Sequence, residues 1–215
     1  MTLDGEERGS RAEKKAQSRR KILESARDVF FRDGFMAANL DEVAERAGVA
    51  KGTLYRYFES KADLYVAVLA DNGRVFLEKM SEAASGSGSA VERLERLSGF
   101  YLEHWTRHRD YFQIFWAIDN QPVIGELPDA VVSEVTRLWE QSLSVLNRVL
   151  EQGVEEGSFR PCDTWEVANL LWTLANGLIQ SEQTGARRAL RRRPLEEVYQ
   201  DGIGLLLRGL SSAPG

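Results

Sequence analysis

The chain has 215 residues, of which 43% are hydrophobic and 28% charged, a composition typical of a globular protein and not of a disordered chain. The single cysteine, Cys162, excludes an internal disulfide framework. No apolar run approaches the roughly 20 residues that cross a bilayer. The N-terminus is acidic, where a signal peptide would be basic. We therefore expect a cytoplasmic protein that does not contact membranes.

Charge is distributed unevenly along the chain. The net charge is −5, yet residues 8–61 carry 13 Lys and Arg against 8 Asp and Glu, while residues 62–215 carry 15 and 22. A basic N-terminal segment followed by an acidic body indicates nucleic-acid binding better than total charge does. By itself the signal is weak, because basic helix faces are usually just solvated.

The N-terminal region begins with a polar segment, residues 1–13, for which we predict disorder. From about Lys14, apolar residues recur at steps of three and four, which predicts a helix that ends at Gly34. These apolar residues are Ile22, Ala26, Val29 and Phe30.

Two short helices follow. Asn39 is a good N-cap for a helix over residues 40–47, and Gly48 ends that helix because glycine adopts a positive φ at low cost. A tight turn leads to a second short helix over residues 51–58. Ser60 is placed to cap a longer helix near 61–80.

The rest of the chain also follows the helical period. After a flexible break at residues 86–89, we predict helices near 90–107, 110–120, 127–155, 163–184 and 195–210. Residues 185–194 contain five arginines and are predicted to form a loop. Prolines fall at or between these boundaries, at Pro122, Pro128, Pro161 and Pro194. No segment alternates with a period of two, so the predicted fold class is all-α.

The two short helices and their turn have the form of a helix-turn-helix, in which the second helix enters the DNA major groove. The residues that pack beneath the motif are Val43, Val49, Leu54 and Phe58. Cationic side chains suited to phosphates are Lys51, Arg56 and Lys61. Hydroxyl groups suited to phosphates or base edges are those of Thr53, Tyr55 and Tyr57, and Gly52 lets the backbone approach DNA closely. Alternatively, the two tyrosines pack partly in the core.

The stretch LDEVAERAGVAKGTLYRYFESKADL, residues 40–64, resembles the signature of the TetR family of bacterial repressors. The resemblance covers residues from about 18 to 65. It implies a three-helix DNA-binding domain over residues 14–60 and a helical ligand-binding and dimerisation domain over residues 61–215. It also implies that the second short helix reads DNA.

The resemblance assigns DNA contacts residue by residue. It implies contacts with bases or phosphates for Lys51, Thr53, Tyr55, Arg56 and Tyr57, and contacts with the DNA backbone for Asn39 and Lys61. Asp41 departs from the pattern, since some members carry a base-reading arginine there. Asp41 either accepts a hydrogen bond from cytosine or stabilises the helix N-terminus, and we favour the second reading.

The last two long helices are apolar over more than one narrow stripe. The resemblance implies that they pair with their copies in a two-fold homodimer, which sets two recognition helices about 34–36 Å apart for a roughly palindromic operator in double-stranded DNA. The alternative is that both helices only close the core of a monomer. The predicted interface consists of Trp165, Leu171, Leu178, Val198, Ile203, Leu206 and Leu210.

The middle helices are rich in aromatic residues with polar groups among them, a pattern that suits a pocket for a small hydrophobic or aromatic effector. Aromatic residues at helical spacing are more often core. The predicted pocket consists of Tyr101, His104, Trp105, Phe115, Trp116, Asp119, Trp139, Trp172 and Asn176.

Other chemistry finds little support. His104 and His108 stand four residues apart on one helix, but two ligands do not make a metal site. No Ser-His-acid pattern or phosphate-binding glycine loop is present, so we expect no enzyme, no catalytic residues, no metal and no cofactor. The resemblance thus implies a repressor that a ligand releases from its operator. The alternatives are a regulator without a small ligand and, less favoured, an enzyme.

Overall fold

The computed structural model describes the backbone of residues 3–116 and 127–212, and the side chains of residues 13–113, 115–116 and 127–212. These residues form ten helices: α1 (Leu3–Ala37), α2 (Leu40–Ala47), α3 (Lys51–Tyr57), α4 (Lys61–Ala84), α5 (Ala90–Arg107), α6 (Arg109–Phe115), α7 (Asp129–Glu155), α8 (Thr164–Ser181), α9 (Gly185–Ala189) and α10 (Leu195–Leu210). The predicted all-α fold class is confirmed. In the described part of the chain, no helix is long and apolar enough to span a membrane.

Helix α1 starts at Leu3, inside the segment 1–13 for which the sequence predicts disorder. The segment contains three Glu and two Arg, whose high helix propensity favours a helix even without an apolar face. Gly34 has a φ of 72°, which interrupts the helix where the sequence predicts its end.

The boundaries of the short helices follow local rules that the sequence shows. The Oδ1 of Asn39 accepts a hydrogen bond from the backbone N–H of Asp41 at 2.8 Å, which caps α2. Gly48 ends α2 with a φ of 67°, as predicted. The Oγ of Ser60 accepts from the N–H of Asp63 at 3.0 Å and caps α4. These three predictions are confirmed.

The described residues divide into two compact units, of which the first comprises residues 1–73 and 110–136. In this unit α1 packs on α2, and α2 packs on α3. Phe30 is fully buried and contacts Tyr65 edge to face, with ring centroids 4.7 Å apart. Other buried core residues are Ile22, Ala26, Val29, Val43, Leu54, Phe58, Leu64 and Leu69.

The second unit comprises residues 74–109 and 137–215. In it α8 packs on α10, and α5 packs on both. Ser89 and Glu92 form a capping box at the start of α5, which ends the predicted flexible break.

Two predicted boundaries in the second unit differ from the structure. Helix α8 ends at Ser181 and not near residue 184, and the short α9 lies in the predicted loop 185–194. Arg191 forms an ion pair with Glu182 and donates a hydrogen bond to the Oγ of Ser181 at 3.3 Å. These contacts join residues that follow α9 to the end of α8, which a count of arginines does not reveal. The predicted helix 110–120 extends beyond the described residues.

A buried glycine offers a test of the packing in the second unit. A Cβ atom at Gly153 would overlap the ring of Phe159 and lie 2.8 Å from the Cβ of Ala90. We expect Gly153→Ala to lower the free energy of unfolding by about 1–3 kcal/mol, measured by urea denaturation, because the core is overpacked. Gly99→Ala is the control, since a Cβ there meets nothing within 4 Å. It should raise stability by up to about 1 kcal/mol through helix propensity. Equal effects of the two changes would contradict the packing.

Candidate nucleic-acid interface and ligand cavity

Helix α3 has one buried side and one exposed side. Leu54 is fully buried, and Phe58, directly after the helix, is 2% exposed. Because these residues are four apart, they share a face, and the positions on the opposite side of the helix turn outward. Tyr55 is 44% exposed. Lys51, Gly52 and Arg56 are also exposed, while Thr53 and Tyr57 are half-buried.

The turn before α3 is held by backbone hydrogen bonds. The N–H of Val49 donates to the carbonyl of Ala44 at 3.0 Å, and the N–H of Thr53 donates to the carbonyl of Ala50 at 2.8 Å. The left-handed conformation of Gly48 makes this short connection possible. The exposed side of α3 is therefore set in place by its buried side and by the turn together.

Lys51 does not stand free on the surface. Its Nζ lies 2.6 Å from the Oδ1 of Asp41, so the first residue of α3 pairs with the first turn of α2. The hydrogen bond and the charge of Asp41 raise the pKa of Lys51. Sequence reasoning considered Asp41 only as a helix cap or a base contact, because the turn that brings Asp41 and Lys51 together is a tertiary feature.

Lys61 is also engaged within the protein. Its Nζ donates a hydrogen bond to the carbonyl of Met36 at 2.9 Å and lies 5.3 Å from the centre of the Phe35 ring. Burial lowers the pKa of Lys61. The side chain satisfies a carbonyl near the end of α1, a role that the sequence pattern did not reveal.

A second network joins α1 to α2. The guanidinium of Arg32 donates to both carboxylate oxygens of Glu42, at 2.8 and 2.7 Å, and also bonds Asp33. These hydrogen bonds hold the pKa of Glu42 and of Asp33 below their usual values. The bidentate geometry fixes the angle between the two helices better than a single bond would.

The second unit contains an apolar cavity of about 40 Å³. It is lined by Met80, Leu94, Leu97, Ser98, Tyr101, Leu146, Leu171, Trp172, Ala175, Tyr199, Ile203 and Leu207. Of the predicted pocket residues, Tyr101 and Trp172 line it. Asn176 is buried next to this lining, where its Oδ1 accepts a hydrogen bond from the hydroxyl of Tyr101 at 2.7 Å.

The remaining predicted pocket residues that the structure describes do not line this cavity. Trp105 is buried in the core of the second unit, and the Trp139 ring packs against Trp172 with centroids 5.7 Å apart. Phe115 and Trp116 belong to the first unit, and Asp119 lies outside the described residues. Helical periodicity shows that such aromatic residues are inward-facing, but it does not show which of them border empty space.

The two histidines lie against each other. The rings of His104 and His108 have centroids 4.7 Å apart, and His104 also packs against Phe76. Burial first, then the charges of His108 and Lys79, lowers the pKa of His104 to about 4. In the parts of the chain that the structure describes, no group of three or more His, Cys, Asp or Glu side chains is placed to hold a metal ion.

Helices α8 and α10 have an inner and an outer face. Three residues predicted for the dimer interface are buried within the single chain: Leu171, Ile203 and Leu210. The first two line the cavity, so they belong to the inner face. The other predicted interface residues are more accessible: Leu178, Val198 and Leu206 are half-buried, and Trp165 is exposed.

The outer face includes two leucines that the sequence prediction missed. Leu170 is 61% exposed and Leu205 is 66% exposed. Helix α10 passes close to α8 there, since a Cβ at Gly202 would lie 3.3 Å from a side-chain atom of Leu174. The sequence contained a sign of this face: Leu170 and Leu174 are four residues apart, and Gly202 and Leu205 are three apart, so each pair shares one side of its helix.

Each of the two parts of the chain matches a known protein family. Residues 22–68 match the model of the bacterial regulatory proteins of the tetR family, and residues 87–180 match that of the tetracyclin repressor-like C-terminal domain. The HTH-type transcriptional regulator YhgD of Bacillus subtilis is 31% identical over 159 residues, which cover 74% of this chain and 80% of YhgD.

Solved structures share the fold. The regulator FadR from Bacillus subtilis in complex with stearoyl-CoA aligns with a TM-score of 0.71 at 18% identity, covering 88% of this chain and 98% of FadR. A regulator from Saccharomonospora viridis in complex with choline aligns with a TM-score of 0.76 at 20% identity, covering 92% and 99%. With its helix-turn-helix and its helical second unit, the chain belongs to the tetR family of bacterial DNA-binding transcriptional regulators.

Proposed function

We propose that this regulator is a homodimeric repressor that a small, largely apolar molecule releases from a two-fold symmetric operator. The observation that carries the proposal is the exposed side of α3, where Lys51, Tyr55 and Arg56 face outward above the buried Leu54. A short helix anchored in this way fits the major groove, where its cations neutralise phosphates and its hydroxyl groups reach base edges.

The proposed DNA-contacting residues differ in whether their side chains already form hydrogen bonds within the protein. Arg56 and Tyr55 project from the exposed side of α3 and are proposed to contact DNA directly. Asn39 already uses its Oδ1 as a helix cap, which leaves its Nδ2 for a phosphate. Lys61 keeps donors beyond the one that bonds Met36, and its anchored position suits a fixed phosphate contact.

The outer face of α8 and α10 supports the homodimer. Leu170 and Leu205 expose large apolar side chains, and Gly177 and Gly209 lie at helical spacing from them, where a second backbone can approach closely. A second copy seated on this face would cover the leucines and relate two α3 helices by a two-fold axis, as an operator with symmetric half-sites requires.

The cavity supports control by a ligand. Its lining is almost wholly apolar, as in many small-molecule sites. Structural relatives hold stearoyl-CoA in one case and choline in another, so this fold accommodates ligands of different chemistry. A ligand changes operator affinity only by as much as its own affinity differs between the DNA-binding form and the released form.

The first test concerns the operator and Arg56. DNA selected by the protein from a random pool should contain two half-sites related by two-fold symmetry. On that DNA, Arg56→Ala should weaken binding about tenfold and make the slope of log affinity against log salt shallower by about 1, because one phosphate contact is lost. Fluorescence anisotropy over a salt series measures both quantities.

The control for this test is Arg148→Ala, which removes an exposed arginine from α7. Its operator affinity and salt slope should equal those of the unaltered protein. Recovery of sequences without any repeated half-site, or equal losses from the two arginine variants, would contradict the proposed use of α3.

The second test concerns the ion pair of Asp41 and Lys51. Asp41→Asn removes a negative charge beside α3 and releases Lys51 toward phosphates. We expect tighter binding to non-operator DNA by about threefold to tenfold and a salt slope steeper by about 1. In the background of Lys51→Ala, the same change at Asp41 should have a smaller effect, since the cation that it restrains is gone. Equal effects in both backgrounds would show that the pair does not act on DNA binding.

The third test concerns the outer face of α8 and α10. Leu205→Glu places a charge on the proposed dimer interface, so sedimentation velocity should show monomers at concentrations where the unaltered protein is dimeric. Leu190→Glu is the matched control, because Leu190 is 82% exposed but belongs to neither α8 nor α10. If both variants sediment as the unaltered protein does, the interface lies elsewhere.

A further inference from the structure

Few polar groups surround the cavity of the second unit. Among its lining residues in the described chain, none carries a charge, and only Ser98, Tyr101, Trp172 and Tyr199 have polar side-chain atoms. An ion placed here would lose its hydration and find no counter-charge, which costs far more than the cavity's apolar contacts return. The lining therefore selects against charged ligands.

The two tyrosine hydroxyl groups are already used within the protein. The hydroxyl of Tyr101 donates to the Oδ1 of Asn176 at 2.7 Å, and that of Tyr199 donates to the carbonyl of Ser98 at 3.3 Å. Burial raises the pKa of Tyr199 to about 12 and raises that of Tyr101 as well, so both phenols stay neutral. Neither hydroxyl has a second proton to donate to a ligand.

Two further polar atoms belong to a lining residue and to a residue bonded to the lining, and they have no such use. The Oγ of Ser98 and the Nδ2 of Asn176 are buried and have no hydrogen-bond partner among the described residues. Asn176 as a whole is only 6% exposed. Leaving a donor buried and unpaired is costly, so such atoms indicate a partner that comes from outside the chain.

Ser98 differs from two serines of helix α7. In α7 the hydroxyl groups of Ser142 and Ser144 each donate to the backbone carbonyl four residues earlier, at 2.8 Å. This is the ordinary solution for a helical serine. The hydroxyl of Ser98 makes no such bond, although its residue lines the cavity.

We infer that the cavity takes an uncharged, largely hydrocarbon molecule with a carbonyl or hydroxyl oxygen, and that this oxygen pairs with Ser98 Oγ and Asn176 Nδ2. The inference rests on the proposed function only for the consequence of binding, which is release from the operator. The hydrocarbon part packs between the leucines, which move apart to enlarge the cavity of about 40 Å³, and the oxygen satisfies the two donors that the fold leaves buried.

The test uses three probes of equal chain length: methyl nonyl ketone, undecane and undecanoate. Binding to the full-length protein is followed by tryptophan fluorescence, since Trp172 lines the cavity. The ketone should bind, and undecanoate at neutral pH should bind at least about a hundredfold more weakly because its charge is not compensated. Failure of the ketone to bind, or binding of undecanoate within tenfold of it, would overturn the inference.

Variants separate the hydrogen bond from the apolar contacts. Ser98→Ala should lower the affinity for the ketone about threefold to tenfold and leave the affinity for undecane unchanged. Ser142→Ala is the matched control, since it removes a buried helical hydroxyl that bonds its own backbone, and it should change neither affinity. Equal ketone affinities in the Ser98 and Ser142 variants would overturn the role of Ser98.

Asn176 is tested together with its partner. Asn176→Leu alone would leave the hydroxyl of Tyr101 buried without an acceptor, so Tyr101→Phe is combined with it. The double variant should retain undecane binding and lose the advantage of the ketone. If this variant does not fold, the comparison of Ser98→Ala with Ser142→Ala still decides the inference.

Operator binding is measured in the same samples. If the ketone binds with the expected preferences while operator affinity stays unchanged, the ligand class is supported and release by ligand is contradicted. If a charged compound displaces the operator through this cavity while the ketone does not bind, the ligand class is overturned and the proposed function remains.

Discussion

The burial of Leu54 and Phe58 beneath α3 is the constraint on which the DNA-binding surface depends. An α-helix has 3.6 residues per turn, so fixing positions 54 and 58 in the core determines the direction of every other side chain of this short helix. Tyr55 and Arg56 face outward for that reason. Seven residues form too few hydrogen bonds to be stable alone, and the helix exists because the core of the first unit holds it.

Charge at this surface is more constrained than a count of basic residues suggests. Lys51 is paired with Asp41, and Lys61 bonds the end of α1, so part of the positive charge of the N-terminal segment serves the fold. Holding these cations in place reduces the entropy that a DNA contact would otherwise cost. If Lys51 contacts DNA as proposed, its ion pair also weakens its attraction to phosphates at random, which would favour particular sites over general DNA binding.

Helices α8 and α10 take part in both proposed roles of the second unit, ligand binding and dimerisation. Their inner faces line the cavity through Leu171 and Ile203, and their outer faces expose Leu170 and Leu205. A molecule that fills the cavity therefore contacts the same two helices that would carry the dimer interface. Packed helices shift as rigid bodies and not as flexible surfaces, so small changes on one face are passed to the other.

Local rules made the N-terminal half readable without a structure. The cap of Asn39 and the glycine at position 48 lie in the sequence next to the turns they form, so pattern alone located the helix-turn-helix. The cavity and the face proposed as the interface were decided by tertiary packing, because α8 and α10 are apolar over more than one stripe. Periodicity assigns residues such as Leu170 and Leu171 to different faces, but only the position of the neighbouring helices determines which face is buried.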